Sequence, residues 1–309
     1  MKKVKTVYDH IRSNNIKTAI LVAMFPLIFI LLVFLFTRIV ASVDDAISIT
    51  TQVAVPTIVI CLVWMLISWA FGDSMMLNMA GARQIDDTDS EYKYIYKLVE
   101  NVALAAGLPT PRVYIIEDSG LNAFATGRTP NDATVALTRG IIKRLDKLEL
   151  EGVIAHEMSH IGNRDIRLEM FVITGLGVTV FLADMILRGL LNSHHSSNDE
   201  KDNSAAILFM VWLAFAVFNF IVSPILHMAI SRKREFAADA TGAQITRNPK
   251  ALASALRKIT ENPTISKLDG KQSMAAICIA NPSSKKALLG ELMATHPPVE
   301  ERIKRLESM

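Results

Sequence analysis

Two histidines and a glutamate stand at a spacing that suits metal-assisted hydrolysis, in the run His156-Glu157-Met158-Ser159-His160. On an α-helix, residues four apart lie one above the other on the same face, so both imidazoles can reach one ion. The carboxylate of Glu157 then lies beside that ion, where it can take a proton from an activated water. The sequence therefore predicts one Zn²⁺ per chain, with two histidine ligands and Glu157 as general base.

A catalytic zinc site takes a third protein ligand and leaves its fourth position for water or substrate. Glu235 is the best candidate, because it begins the run EFAAD directly after the last apolar block of the chain. Helices joined by a short loop are usually antiparallel neighbours, so two membrane helices return Glu235 to the surface from which the HEMSH helix enters. Asp239 lies four residues on and could accept the other N–H of a ligating histidine. The alternative for Glu235 is a solvated acid paired with a neighbouring Arg or Lys.

The helix that must carry the HEMSH run is predicted from its capping residues. Asp146 is the expected N-cap, and Glu149, three residues on, completes a capping box. A helix from residue 147 to about 161 follows, and residues 231–309 are expected to be mostly helical. The other elements expected before the HEMSH helix are a helix at 91–106 and strands at 113–116 and 134–138.

Composition places these elements in a membrane protein. The 309 residues are 51% hydrophobic and 20% charged with a net charge of +3, which excludes a disordered chain and a basic nucleic-acid-binding tail. Two cysteines, Cys61 and Cys278, form no disulfide framework and suit a cytosol-facing domain. The apolar residues gather in four blocks, which we interpret as transmembrane helices although Asp184 weakens the third. The blocks are residues 19–36, 53–71, 170–187 and 205–230.

Basic residues set the expected orientation of these four helices. Lys and Arg are frequent in the first 18 residues and again directly after the fourth block, whereas the loops at 37–52 and 192–204 hold few. The positive-inside rule therefore predicts that both termini and the HEMSH run face the cytoplasm. The expected organisation is a cytoplasmic N-terminus at 1–18, two membrane helices within 19–71, the first half of a cytoplasmic domain at 72–169, a membrane hairpin at 170–230 and the second half of the domain at 231–309.

Three further segments accompany HEMSH and EFAAD in the same order as in a known family: GLNAFA at 120–125, NRD at 163–165 and THPPVEERI at 295–303. Together they resemble the HtpX family, heat-shock membrane zinc metalloproteases of the bacterial inner membrane that are related to CAAX prenyl endopeptidases. The resemblance implies a mainly α-helical gluzincin-type protease domain with a small β-sheet, split by the membrane hairpin. It also implies that Glu235 is the third ligand and that Asp165 lies behind the ligands.

The resemblance further places Asn122, His296 and Arg302 near the active-site cleft. Arg302 and His296 could donate hydrogen bonds to the oxyanion of a tetrahedral intermediate, and Asn122 could pair with the substrate backbone. Helix capping, turn formation and surface pairing are the alternatives for these three residues. We also expect the strand at 133–138 to present an exposed edge to an extended substrate.

The resemblance implies that the substrates are damaged or misfolded membrane proteins and unfolded polypeptides. It also implies that the protein lies in the lipid bilayer and binds no nucleic acid. Other membrane quality-control proteases would be partners. Without the resemblance, the residues predict only that the protein cleaves peptide bonds near the cytoplasmic face of the membrane. Two alternatives remain: a processing enzyme of the CAAX-endopeptidase type, for which four helices look too few, and a non-catalytic adaptor joined by structural zinc. Glu157 argues against the adaptor, because a structural site does not need that carboxylate.

Overall fold

The computed structural model describes residues 7–40, 42–193, 204–219, 223–269, 278–280 and 297–309. Its helices are α1 (Val7–Val40), α2 (Val43–Ala80), α3 (Lys93–Ala106), α4 (Arg139–Arg144), α5 (Lys147–Gly162), α6 (Asp165–Ser193), α7 (Ser204–Val217), α8 (Ser223–Thr246), α9 (Pro249–Ile259) and α10 (Val299–Glu307). Its strands are β1 (Ala82–Ile85), β2 (Arg112–Ile116), β3 (Ala123–Thr126) and β4 (Thr134–Thr138). The expectation of a mainly helical protein with a small sheet is confirmed.

The chain divides into two compact units. One unit combines residues 16–70 with 171–226, and the other combines residues 1–15, 71–170 and 227–309. The second unit contains the four-stranded sheet and every described residue of the candidate site.

The helices of the first unit carry the apolar blocks. Among the described residues, α2 is the one helix that is both long and apolar enough to cross a membrane, and Leu27–Ile39 of α1 forms a shorter apolar stretch. Large apolar side chains of α2 are exposed, as on a helix that contacts lipid. On α6, Arg188 Nε lies 2.7 Å from Asp184 Oδ2, the ion pair that their four-residue spacing predicts.

The strand order in the sheet is β1-β2-β4-β3. β2 and β4 are parallel, whereas β1 and β3 lie antiparallel on the two outer sides. The expectation that the strand at 133–138 offers an exposed edge is therefore wrong, because β4 pairs along both sides. A run of buried residues looks the same in sequence whether its strand is central or outermost. The sheet edge nearest the HEMSH helix belongs to β3, a four-residue strand that the sequence pattern did not predict.

Local signals and tertiary contacts both hold α5 in place. The capping box is present, since Glu149 N donates to Asp146 Oδ1 and Asp146 N donates to Glu149 Oε2, each at 2.9 Å. Glu149 also accepts hydrogen bonds from Ser254 Oγ and Lys258 Nζ of α9, both at 2.6 Å. These bonds tie the first turn of α5 to α9, and most of the remaining residues of α5 are buried, with contacts to α3, α9 and β3.

Candidate active site

The two histidines of the HEMSH run project from α5 to one point. His156 Nε2 and His160 Nε2 are 3.2 Å apart, and both residues are buried. Two ligands at about 2.0–2.1 Å from a tetrahedral ion would lie about 3.3 Å apart. The spacing of the two ring nitrogens therefore fits a shared metal ion.

Glu235 of α8 completes the group. Its Oε2 lies 3.6 Å from His156 Nε2, and its Oε1 lies 3.5 Å from His160 Nε2. The three prospective ligand atoms are within 4.8 Å of one another, and all three residues are buried. Two imidazoles and one carboxylate are a ligand set of catalytic zinc sites, so the residues present fit the metal.

A glycine lets α8 approach α5 this closely. Glu235, Asp239 and Gly242 recur every three or four residues and so share one face of α8. A Cβ atom at Gly242 would lie 3.0 Å from the backbone nitrogen of His156 and 3.2 Å from its Cα. A side chain at this position would push the two helices apart by a few tenths of an ångström, so glycine favours the close approach of their ligand-bearing faces.

Asp239 lies behind the first histidine. Its Oδ1 is 3.0 Å from His156 Nδ1, which leaves Nε2 directed at Glu235. Arg302 of α10 holds Asp239 through two hydrogen bonds of 2.8 Å, from Nε and Nη2. Burial raises the pKa of Asp239, but the charges of Arg302 and His156 outweigh burial and lower it. Asp239 is thus held as a carboxylate that can fix the orientation of the His156 ring.

Asp165 lies behind the second histidine in the same way. Its Oδ2 is 2.9 Å from His160 Nδ1, and its Oδ1 is 3.5 Å from Arg234 Nη1. Arg234 Nη2 in turn donates to Glu169 Oε1 at 2.8 Å. Burial lowers the pKa of His160, but the hydrogen bond with Asp165 and the charge of Glu235 outweigh it and raise the pKa to about 10. Each prospective histidine ligand therefore has its own carboxylate and arginine behind it.

Glu157 lies beside this group with one carboxylate oxygen that accepts no hydrogen bond from the described residues. It is 1% exposed, and its Oε1 has no hydrogen-bond partner among the described residues. Burial raises the pKa of Glu157, while the neighbouring charges of His156 and His160 oppose that shift. A buried carboxyl group with an unused oxygen suits a proton acceptor more than a structural role.

Asn122 leads into β3 and is fully buried. Its Nδ2 donates to the backbone carbonyls of Pro263 at 2.7 Å and Ala280 at 2.9 Å. Ile279 N donates to the Ala123 carbonyl at 2.9 Å, on the side of β3 that faces away from β4. Residues 278–280 thus lie along the outer edge of β3. His296 lies outside the described residues.

Arg234, Glu169 and Gly242 were not selected by the sequence analysis. Asp165 and Glu169 are acids four residues apart at the start of an apolar block, which is a weak signal for a buried charge cluster. Arg234 stood out only as one of three basic residues after the fourth apolar block. Gly242 has no signal in its own neighbourhood, because its role depends on the approach of a helix about 80 residues earlier in the chain.

This fold and ligand group define a metallopeptidase. The sequence matches the pattern of peptidase family M48 over residues 89–309, more than half of the chain, and the chain belongs to that family. It is 38% identical over 311 residues to a protein named Protease HtpX homolog from Bacteroides fragilis, covering 95% of this chain and 96% of that one. It is 43% identical over 247 residues to a Protease HtpX homolog from Thermoanaerobacter pseudethanolicus, covering 79% and 81%.

A solved structure gives a weaker likeness. The crystal structure of Ste24p from S. mikatae shares 18% sequence identity with a TM-score of 0.47, and the alignment covers 96% of this chain and 66% of that one. The chain thus spans about two thirds of the length of that protein. The expected resemblance to the HtpX family is confirmed by the sequence matches, and the chain is a metallopeptidase, a hydrolase of peptide bonds.

Proposed function

We propose that this protein is a zinc-dependent endopeptidase of the bacterial inner membrane that cuts misfolded or damaged membrane proteins at the cytoplasmic face during stress. The observation that carries the proposal is the meeting of His156, His160 and Glu235 beside the buried carboxylate of Glu157. The similarity to proteins named Protease HtpX homolog supports the membrane setting and the stress role.

His156, His160 and Glu235 would hold the zinc ion, which when bound lowers the pKa of a water and polarises the scissile carbonyl. Glu157 takes the proton from the attacking water on its unengaged oxygen and passes it to the nitrogen of the leaving amine. Arg302 Nη1 donates to the carbonyl of Ile279 at 3.1 Å. If substrate replaced residues 278–280, this nitrogen could donate instead to a substrate carbonyl that becomes negatively charged, which is the role predicted for Arg302.

The membrane arrangement is also a proposal. We place the four apolar blocks as spans and both termini with the site in the cytoplasm. The apolar helix α2 supports one span, and the distribution of Lys and Arg supports the orientation. Substrates cut in this setting would be membrane-protein segments near the cytoplasmic surface. Soluble unfolded polypeptides, which expose similar extended segments, would be cut as well.

The outer edge of β3 is where we propose that an extended substrate binds. Ala123 points its carbonyl to that edge, where Ile279 N already donates to it. At the same edge, Asn122 Nδ2 donates a hydrogen bond to the carbonyl of Ala280. A substrate backbone could make the same two hydrogen bonds, so these contacts support strand addition at β3 rather than β4.

The test compares the purified, zinc-loaded full-length chain with Glu157→Gln in detergent, using an unfolded protein as substrate. Glu151→Gln is the matched control, because Glu151 lies on the same helix and, within the part of the chain that the structure describes, forms an ion pair with Lys147 at 3.8 Å. We expect Glu157→Gln to abolish cleavage while zinc stays bound and Glu151→Gln to cleave like the wild type. Zinc-loaded wild type that cuts nothing would favour the adaptor or a narrowly specific processing enzyme. Equal cleavage by the wild type and Glu157→Gln would show that the site is wrong.

A further inference from the structure

A buried cluster of three charged residues lies behind His160, and we call it the Arg234 cluster: Asp165 and Glu169 of α6 with Arg234 of α8. Asp165 and Glu169 are one turn apart, and each is at most 5% exposed. Arg234 is 8% exposed and immediately precedes the prospective ligand Glu235. The cluster therefore joins the helix that begins just after His160 to the helix that supplies the third ligand.

The two oxygens of Asp165 have different partners. Oδ2 lies 2.9 Å from His160 Nδ1, whereas Oδ1 lies 3.5 Å from Arg234 Nη1. The second arm of the Arg234 guanidinium donates to Glu169 at 2.8 Å. Arg234 is thus close enough to balance the charge of Asp165, and its hydrogen bond to Glu169 is shorter than its distance to Asp165.

This division matters because an arginine readily binds a carboxylate with both arms. If Arg234 took both oxygens of Asp165, Oδ2 would have to accept from both Arg234 and His160. Glu169 holds the guanidinium one helical turn away and leaves Oδ2 to the histidine. On the other side of the site Arg302 does bind Asp239 with two arms, and there Oδ1 reaches His156 Nδ1 as well. The two histidines are therefore supported by different arrangements.

We propose that Arg234 and Glu169 are positioning residues of the metal site, in which Arg234 orients Asp165 toward His160 and Glu169 sets the position of Arg234. The proposal rests on the function proposed above only in that the site binds zinc. It goes beyond that function by assigning a role to two residues that are neither prospective ligands nor part of β3.

The experiment uses the full-length chain in detergent and the variants Arg234→Gln, Arg234→Lys and Glu169→Gln. Arg257→Gln is the matched control, since Arg257 pairs with Glu307 in an exposed ion pair. Zn²⁺ affinity is measured by competition with a chelator, and the visible spectrum of the Co²⁺-substituted protein reports the ligand geometry. Cleavage of an unfolded protein separates kcat from KM.

We expect Arg234→Gln to weaken Zn²⁺ binding by about 10–100-fold and to change the Co²⁺ spectrum, as loss of a partner behind a ligand does. Arg234→Lys should recover part of the affinity without the wild-type spectrum, because Lys lacks the planar fork. Glu169→Gln should weaken Zn²⁺ binding less than Arg234→Gln. In the variants that still cleave, kcat should fall while KM stays unchanged.

The proposal is overturned if the Zn²⁺ affinity and Co²⁺ spectrum of both Glu169→Gln and Arg234→Gln match the control while only the melting temperature falls. If Arg234→Gln does not fold, the Zn²⁺ affinities and Co²⁺ spectra of Glu169→Gln and Arg234→Lys test the proposal instead. Wild type that binds Zn²⁺ but cleaves nothing would defeat the proteolytic function, and the affinities would still decide the positioning role. Wild type that binds no Zn²⁺ would defeat both.

Discussion

The side-chain amide of Asn122 donates a hydrogen bond to the backbone carbonyl of Ala280 at 2.9 Å, across 158 positions of the chain. The antiparallel bridge between Phe124 and Cys278 lies next to this contact. Cys278–Ala280 therefore occupies the edge of β3 that we propose for an extended substrate. A substrate that binds there must compete with this segment, and the strength of the competition can be measured.

Replacing Ile279 by proline should favour the substrate in this competition. Proline has no N–H and cannot donate to the Ala123 carbonyl, so the segment loses one hydrogen bond to β3. One such bond is worth about 1 kcal/mol, so we expect KM for an unfolded polypeptide to fall about fivefold. Ile279→Ala keeps the N–H and controls for loss of the buried side chain. An unchanged or higher KM in Ile279→Pro alone would show that the segment supports the edge and does not compete for it.

Cys278 gives an independent measure of whether the segment leaves β3. Burial, with a further contribution from the charge of Glu157, raises the pKa of this thiol, so its thiolate is scarce at neutral pH. In a Cys61→Ser background we expect slow alkylation of Cys278 and faster alkylation when Ile279→Pro is added. Equal rates would mean that the proline variant keeps the segment in place.

Asn122→Ala should destabilise the protein. Asn122 is 0% exposed, its Nδ2 serves the carbonyls of Pro263 and Ala280, and its Oδ1 accepts from Ala123 N at 3.0 Å. Removal leaves the buried N–H of Ala123 and two partly buried backbone carbonyls without these partners, and an unpaired buried group costs about 1–3 kcal/mol. We expect a melting temperature at least about 5 °C lower. Asn122→Asp keeps the acceptor and loses both donors, so a melting temperature like that of the wild type in Asn122→Asp would contradict this account.

Local signals predicted the parts of the site that depend on one helix. The capping box of Asp146 and Glu149 marked the start of α5, and the four-residue spacing of His156 and His160 placed two prospective ligands on one face. Glu235 was selected from topology, because two helices joined by a loop return the chain to the same surface. These inferences needed only helix geometry and chain direction.

Long-range pairing could not be inferred in the same way. The five residues of β4 predicted a strand, but their sequence does not indicate that β2 pairs along one side of it and β3 along the other. β1 and β3 are four residues long, too short for a periodic pattern. Gly242 owes its role to the approach of α8 to α5, and Arg234 owes its role to the approach of α8 to the start of α6. Sequence spacing does not contain these contacts.

Gly242→Ala should weaken metal binding although it leaves all three prospective ligand side chains unchanged. The new Cβ would meet the His156 backbone at 3.0 Å, and the backbone of a buried helix cannot easily move away. Displacement of α8 would carry Glu235 away from both histidines. We expect a measurable loss of Zn²⁺ affinity by chelator competition. Gly162→Ala is the control, since its Cβ would make only ordinary contacts with Leu108, the nearest at 3.5 Å. Equal Zn²⁺ affinities in the two variants would refute the role of the close approach.

Glu149 should make the stability of the domain depend on acid pH. Burial raises its pKa, but hydrogen bonds from Lys258 and Ser254 outweigh burial and lower it. A carboxylate whose pKa is lower in the folded state stabilises the protein above its unfolded pKa, and this stabilisation is lost as the pH falls through the folded pKa. The melting temperature of Glu149→Gln should therefore lie below that of the wild type at pH 7, and the difference should shrink below about pH 4.5. Glu261→Gln, which alters an exposed pair with Arg144, is the control and should show a small difference from the wild type at pH 7. A difference between Glu149→Gln and the wild type that stays constant from pH 7 to pH 3 would mean that the charge of Glu149 does not hold α5 against α9.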